Sequence, residues 1–120
     1  MKTAIFTDQI PAPIGTYSQA IKINNTVYLS GQIPKTSGDF KDEVRQVFSH
    51  LSAVAHAAGG SLNHIVKLTI FLIDFNLFAD VNTVMSELFS EPYPARSTVQ
   101  VSRLPKDSRV EIEAIMILGE

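Results

Sequence analysis

The amino-acid sequence predicts an α+β domain of element order ββαβαββ, with a mixed, mostly antiparallel sheet and two helices on one of its faces. Three observations carry this reading. Two segments place apolar residues at helical spacing, five runs are rich in β-prone residues, and the connections are too short to take the helices to both faces.

Residues 20–23 and 26–31 are β-prone and flank Asn24-Asn25, and asparagine tolerates the positive φ that a two-residue hairpin turn requires. After the turn formers Lys35-Thr36-Ser37-Gly38-Asp39, the spacing of Val44, Val47, Phe48, Leu51, Ala55 and Ala58 predicts a helix over 41–58. Gly59-Gly60 supplies the left-handed residue that commonly ends a helix. Residues 65–73 read as a central strand, because β-branched content is high and both alternating faces are apolar. Leu77, Phe78, Val81, Val84, Met85, Leu88 and Phe89 repeat at helical spacing, with Asp74 or Asn76 as the cap and Pro92 as the stop. Two further strands, 96–104 and 109–118, are joined by Pro105-Lys106-Asp107-Ser108, a turn composition that favours an antiparallel pair.

In the central strand the Ile65, Phe71 and Ile73 side is as apolar as the Val66, Leu68, Ile70 and Leu72 side. Helices cover only one side, so the other is expected to be an oligomer interface rather than a wet surface.

The 120 residues fit one domain, 1–120, with one core. Ten Lys and Arg against twelve Asp and Glu give a net charge of -2, so no basic field draws this chain to a phosphate backbone. The absence of cysteine excludes a disulfide scaffold, thiolate metal sites and thiol nucleophiles. The N-terminal residues reach Asp8 before any apolar run long enough for a secretory leader, and the longest apolar runs are far shorter than a membrane span. A soluble protein of the reducing cytoplasm is expected.

No glycine-rich phosphate loop, metal-spaced histidine pair or nucleophile elbow is present. His50 and His56 stand six apart on a helix and hence on different faces, and His64 sits at a strand entrance; as isolated histidines they point to no metal. The C-terminal strands are more informative. Arg96 and Thr98 share one face of their strand, and Glu111 and Glu113 share one face of the next. Arginine offers a planar fork to a carboxylate, and a glutamate near an apolar wall has its pKa raised towards neutrality. The residues alone leave two readings open: acid-base work on a small acid, or a cross-strand ion pair on a solvated face.

Separated blocks of the chain resemble a known family. They are Ile14-Gly15-Thr16-Tyr17-Ser18-Gln19, Ser30-Gly31-Gln32-Ile33-Pro34, Tyr93-Pro94-Ala95-Arg96-Ser97, Leu104-Pro105-Lys106-Asp107 and Glu111-Ile112-Glu113-Ala114. Together they resemble the Rid (YjgF) enamine and imine deaminases over residues 9–118. The resemblance implies a homotrimer of chorismate-mutase-like subunits with active sites between neighbouring chains, and it needs neither metal nor organic cofactor. It implies hydrolysis of 2-imino acids such as 2-iminobutanoate and 2-iminopropanoate, products of pyridoxal-phosphate dehydratases, to 2-keto acids and ammonia. Carried over residue by residue, it makes Arg96 the carboxylate binder, Glu111 the residue that positions or activates water, Tyr17 a cleft residue, Gly31 a backbone contact to the ligand and Asn82 a helix residue near the site. Glu113 is then structural.

Thr98 stands where many relatives have cysteine, which rules out a thiol mechanism here and leaves a hydroxyl able to bond substrate or water. The connections from Pro34 to the first helix and before Tyr93 also look shorter than is usual in the family. Two competing readings accompany the resemblance: an endoribonuclease or translation inhibitor, against which the charge balance argues, and a non-catalytic 2-keto acid binder.

Overall fold

The computed structural model describes residues 1–119. The strands are β1 (Thr3–Ile5), β2 (Ala20–Ile23), β3 (Thr26–Gln32), β4 (Ile65–Leu72), β5 (Ala95–Gln100) and β6 (Val110–Ile117), and the helices are α1 (Phe40–Ala57) and α2 (Phe78–Leu88). They form one six-stranded sheet in the order β1-β2-β3-β6-β4-β5. The α+β class, the two helices and the five expected strands are all present, and β1 is an addition. Its three residues are too few to show an alternation, and they are held only by pairing with β2.

The turn residues behave as their chemistry requires. Asn24 adopts φ 52° between β2 and β3, and Gly59 adopts φ 97° after α1. Asp74 does cap a helix, but a short 3₁₀ turn, Phe75–Leu77, that precedes α2; its side chain accepts from the Asn76 N–H at 2.9 Å. No helix of the described residues is long and apolar enough to cross a membrane.

Two expectations are corrected. The last two strands do not pair. β6 inserts between β3 and β4, antiparallel to both, while β5 lies at the edge and pairs with β4 in parallel. The reason is topological: β4, α2 and β5 form a crossover unit, whose strands run parallel. The β5–β6 connection is also no tight hairpin: β5 ends at Gln100 and β6 begins at Val110, with a 3₁₀ turn, Pro105–Asp107, between them.

The second correction concerns the two faces of β4. A register shift between Ile65 and Lys67 turns Ile65 into the core and leaves Val66 exposed. Beyond the shift Leu68, Ile70 and Leu72 are buried, while the opposite face of β4 presents Lys67, Thr69 and Phe71. The two faces are therefore not equally apolar. The helix-free face still exposes Tyr28 and Ile117.

α1 packs on β3, β6 and α2, and its Val44, Val47, Phe48, Leu51 and Val54 are wholly buried against Val27, Leu68, Ile70, Ile112 and Met116. Each such side chain contributes about 1.5–3 kcal/mol on leaving water. The Phe48 and Phe89 rings meet edge to face at 5.4 Å, which fixes the exit of α2 against α1. A half-buried ion pair ties the start of α1 to the start of β6: Arg109 donates to Glu43 Oε2 at 2.8 Å and to the Gly38 carbonyl at 2.8 Å. Glu43 is only 4% exposed and also accepts the Gly38 N–H at 2.9 Å.

Candidate active site

The six residues singled out in the sequence fall into two groups. Arg96, Asn82 and Thr98 lie on the helix-covered face. Arg96 stands beside Leu68 and Thr98 beside Ile70, so both point where those core residues point. Arg96 Nη1 donates to Asn82 Oδ1 at 2.7 Å and touches Met85 Sδ at 3.3 Å, and the guanidinium lies 5.1 Å from the Phe78 ring centroid. Phe78, Asn82 and Met85 reach it together because they stand four and three residues apart on one stripe of α2.

The result is a guanidinium held from two sides and partly stripped of water, which lowers its pKa by desolvation. Among the described residues it forms no ion pair. Tyr93, Pro94 and Ser86 complete a depression over it. Two residues along β5, the Thr98 hydroxyl is buried without a hydrogen-bond partner.

Glu111, Gly31 and Tyr17 form the second group. Glu111 stands beside Phe71 and so faces away from the helices, the reverse of Arg96. The side chain crosses β3 at Gly31, where the strand bulges between Leu29 and Gln32. A Cβ on Gly31 would overlap Glu111 Oε2 and come within 2.9 Å of its Cδ, so only glycine leaves room for the carboxylate. Burial raises the Glu111 pKa, and the charge of Glu113, two residues on, raises it further. Gly31 and Tyr17 both line a cavity of 130 Å³ walled by Ile14, Ile33 and Pro34.

Within one chain, then, the sheet separates Arg96 from Glu111. The cross-strand ion pair left open by the sequence does not form, and the Arg96 guanidinium and the Glu111 carboxylate do not share a cleft. Three residues around Arg96 were not singled out as site residues. Phe78 and Met85 read as core positions of a helix, although their spacing with Asn82 was available as a signal; Tyr93 sits three residues before the arginine. His50 also differs from a surface residue: it is half-buried, lines the Tyr17 cavity, and has its pKa lowered by burial and by the Lys35 charge.

A six-stranded sheet with both helices on one side, a desolvated arginine under one helix and a half-buried glutamate on the opposite face define a chorismate-mutase-like α+β protein. The family model described as Endoribonuclease L-PSP matches residues 7–118, and the chain belongs to this family, also called Rid or YjgF. It is 52% identical over 122 residues to the RutC family protein PH0854 of Pyrococcus horikoshii, covering 96% of this chain and 97% of the relative. It is 47% identical over 124 residues to the 2-iminobutanoate/2-iminopropanoate deaminase of Dermatophagoides farinae, covering 98% and 97%. Among solved structures, RidA of the Antarctic bacterium Psychrobacter sp. PAMC 21119 superposes with a TM-score of 0.93 at 48% identity, covering 97% of this chain and 99% of that one. TdcF of Escherichia coli with bound serine superposes with a TM-score of 0.92 at 40% identity, covering 98% and 99%.

Proposed function

We propose that this protein hydrolyses small 2-imino acids, among them 2-iminobutanoate and 2-iminopropanoate, to 2-keto acids and ammonia, in a cleft completed by two chains of a homotrimer. Residues 1–120 act as one domain of this type. The observation that carries the proposal is the pair of half-sites: a desolvated, unpaired Arg96 on one face and a Glu111 carboxylate of raised pKa on the other. A neighbouring chain presenting its Arg96 side to the Glu111 side of the first brings the two together. The deaminase name of the Dermatophagoides relative and the amino acid bound by TdcF support a small carboxylate ligand.

In such a cleft the guanidinium of Arg96, oriented by Asn82 and Phe78, grips the α-carboxylate, and the Thr98 hydroxyl gains its missing hydrogen-bond partner from substrate or water. The imine carbon is already electrophilic, so orientation and a placed water suffice. Glu111 takes a proton from that water as its oxygen bonds to the imine carbon, and returns it to the nitrogen, which has taken up the C=N electron pair. A second transfer through Glu111, from the new hydroxyl to the amino group, lets the C–N bond break, so that ammonia leaves and the carbon becomes the keto carbonyl. No covalent intermediate with the protein is required. A raised carboxyl pKa suits a group that both takes and returns this proton.

The test couples the purified protein to threonine dehydratase with semicarbazide trapping the imine. Keto acid release rises with wild-type protein and falls to the dehydratase-only rate with Arg96→Ala. Unchanged release with wild type, or full activity in the variant, refutes the proposal. The ribonuclease name of the family model suggests the competing reading, but with a net charge of -2 the chain lacks a field to hold RNA. RNA cleavage that survives stringent purification and is lost in Arg96→Ala would favour that reading instead.

A further inference from the structure

Two lysines beside the Tyr17 cavity have no part in the reaction above. Lys35, in the connection after β3, and Lys106, between β5 and β6, line both that 130 Å³ cavity and an adjoining depression of 420 Å³ that reaches Glu43 and Arg109. The two spaces share Pro34, Lys35 and Lys106 in their walls. The carboxylates that line the second space are already engaged, Glu43 by Arg109 at 2.8 Å and Asp107 by Arg103 at 3.4 Å. Neither lysine joins an ion pair among the described residues.

Both lysines are also held in place by their backbones. The N–H groups of Lys35 and Thr36 donate to Gln46 Oε1 on α1. Lys106 sits at φ 55° and is followed by Asp107 at φ 54°, a left-handed pair that glycine would adopt without strain and residues with a Cβ do not favour. Lys106 lines the cavity from this left-handed turn. His50 lines the same cavity, with Nδ1 buried and without a partner, so the wall offers a polar ring but no counter-charge.

We propose that Lys35 and Lys106 form a second anion-binding arm of the cleft, which receives the distal carboxylate of a dicarboxylic 2-imino acid. The inference rests on the function proposed above, with the α-carboxylate held by Arg96 of the neighbouring chain. The apolar walls of Ile14, Ile33 and Pro34 suit a short aliphatic linker, and ammonium groups free of partners are point charges ready for a flexible carboxylate. Charge–charge binding of a group remote from the imine acts on ground and transition states alike, so its effect falls on KM.

The experiment generates imines in place, from alanine with an L-amino-acid oxidase and from glutamate with L-glutamate oxidase, with semicarbazide as the trap. Wild type is compared with Lys35→Ala/Lys106→Gly, in which glycine keeps the left-handed turn while removing the amine. The double variant loses about tenfold or more in kcat/KM on the glutamate-derived imine, mainly through KM, and stays within about twofold on the alanine-derived one. Equal loss on both imines, or loss on neither, overturns the inference. So does a wild type that accelerates only the alanine-derived imine. If wild type accelerates neither, the proposed function fails and the inference falls with it.

Discussion

Glu111 crosses β3 over the backbone of Gly31, in a space that a Cβ on residue 31 would occupy. The carboxylate therefore owes its position to a missing side chain. Gly31→Ala forces Glu111 to move, and a displacement of about 1 Å at a reacting group costs on the order of 100-fold in rate. We expect kcat/KM in the coupled imine assay to fall by that order. The thermal midpoint drops as well, since overpacking costs about 1–3 kcal/mol. Unchanged kinetics would show that the Glu111 position does not matter.

The pKa of Glu111 is raised by burial first and by the Glu113 charge second. In the proposed mechanism the carboxylate form accepts the proton, so we expect activity to decline as pH falls through this elevated pKa. Glu113→Gln removes the second cause and moves the acid limb of the kcat/KM profile to lower pH. For stability the sign is the reverse of a paired carboxylate: the folded chain holds the proton more tightly than the unfolded one. The contribution is fully present below the ordinary value of 4.5 and is lost as pH rises through the raised folded-state pKa. Glu111→Gln is accordingly more stable than wild type near neutrality, and the difference closes as the solution is acidified. Melting curves of both proteins across that range check it.

On the opposite face, Arg96 is positioned by Asn82 and Phe78. Asn82→Ala leaves the guanidinium without its 2.7 Å partner, and a hydrogen bond to a charged group contributes about 1.5–3 kcal/mol. We expect KM for neutral imino acids to rise by roughly 10- to 100-fold on that figure, with a smaller change in kcat. Thr98→Val removes a buried hydroxyl that has no partner, so the fold is not weakened while substrate binding loses a contact. A valine variant that melts lower and binds normally would contradict the assignment.

Glu43 anchors three segments at once, through Arg109, the Gly38 N–H and the first turn of α1. Glu43→Ala removes the acceptor of the Gly38 N–H and the ion-pair partner of Arg109, which keeps only the Gly38 carbonyl. A loss of about 1–3 kcal/mol follows, measurable by chemical denaturation. This residue stands apart from Arg96, so Arg96 chemistry should survive below the new melting point.

Much of this was legible in the residues. Helical spacing gave α1 and α2, Asn24 and Gly59 marked their turns, and the separated motif blocks held Arg96, Glu111, Gly31 and Tyr17, while Asn82 came from the family resemblance alone. The pairing of the last strands was not legible, because Pro105 to Ser108 is an ordinary turn composition and only the β4–α2–β5 crossover sends β5 to the edge. The faces of β4 were misjudged for a similar reason: the register shift at Ile65 to Lys67 leaves no mark in the hydrophobic pattern. Alternation within each strand placed Arg96 with Thr98 and Glu111 with Glu113. It could not say that β5 and β6 lie on either side of β4 with these pairs on opposite faces of one sheet.

That opposition makes the central claim testable by complementation. We expect Arg96→Ala and Glu111→Gln each to be inactive, and mixing them during assembly of the proposed trimer to place a wild-type arginine opposite a wild-type glutamate at some interfaces. In randomly mixed trimers about one quarter of all sites regain both residues. The measurement is imine hydrolysis after co-refolding equal amounts of the two variants, with subunit exchange verified by a mass tag. Recovery of about one quarter of wild-type activity is the result expected of a site shared between chains. No recovery in verified mixed oligomers would contradict it.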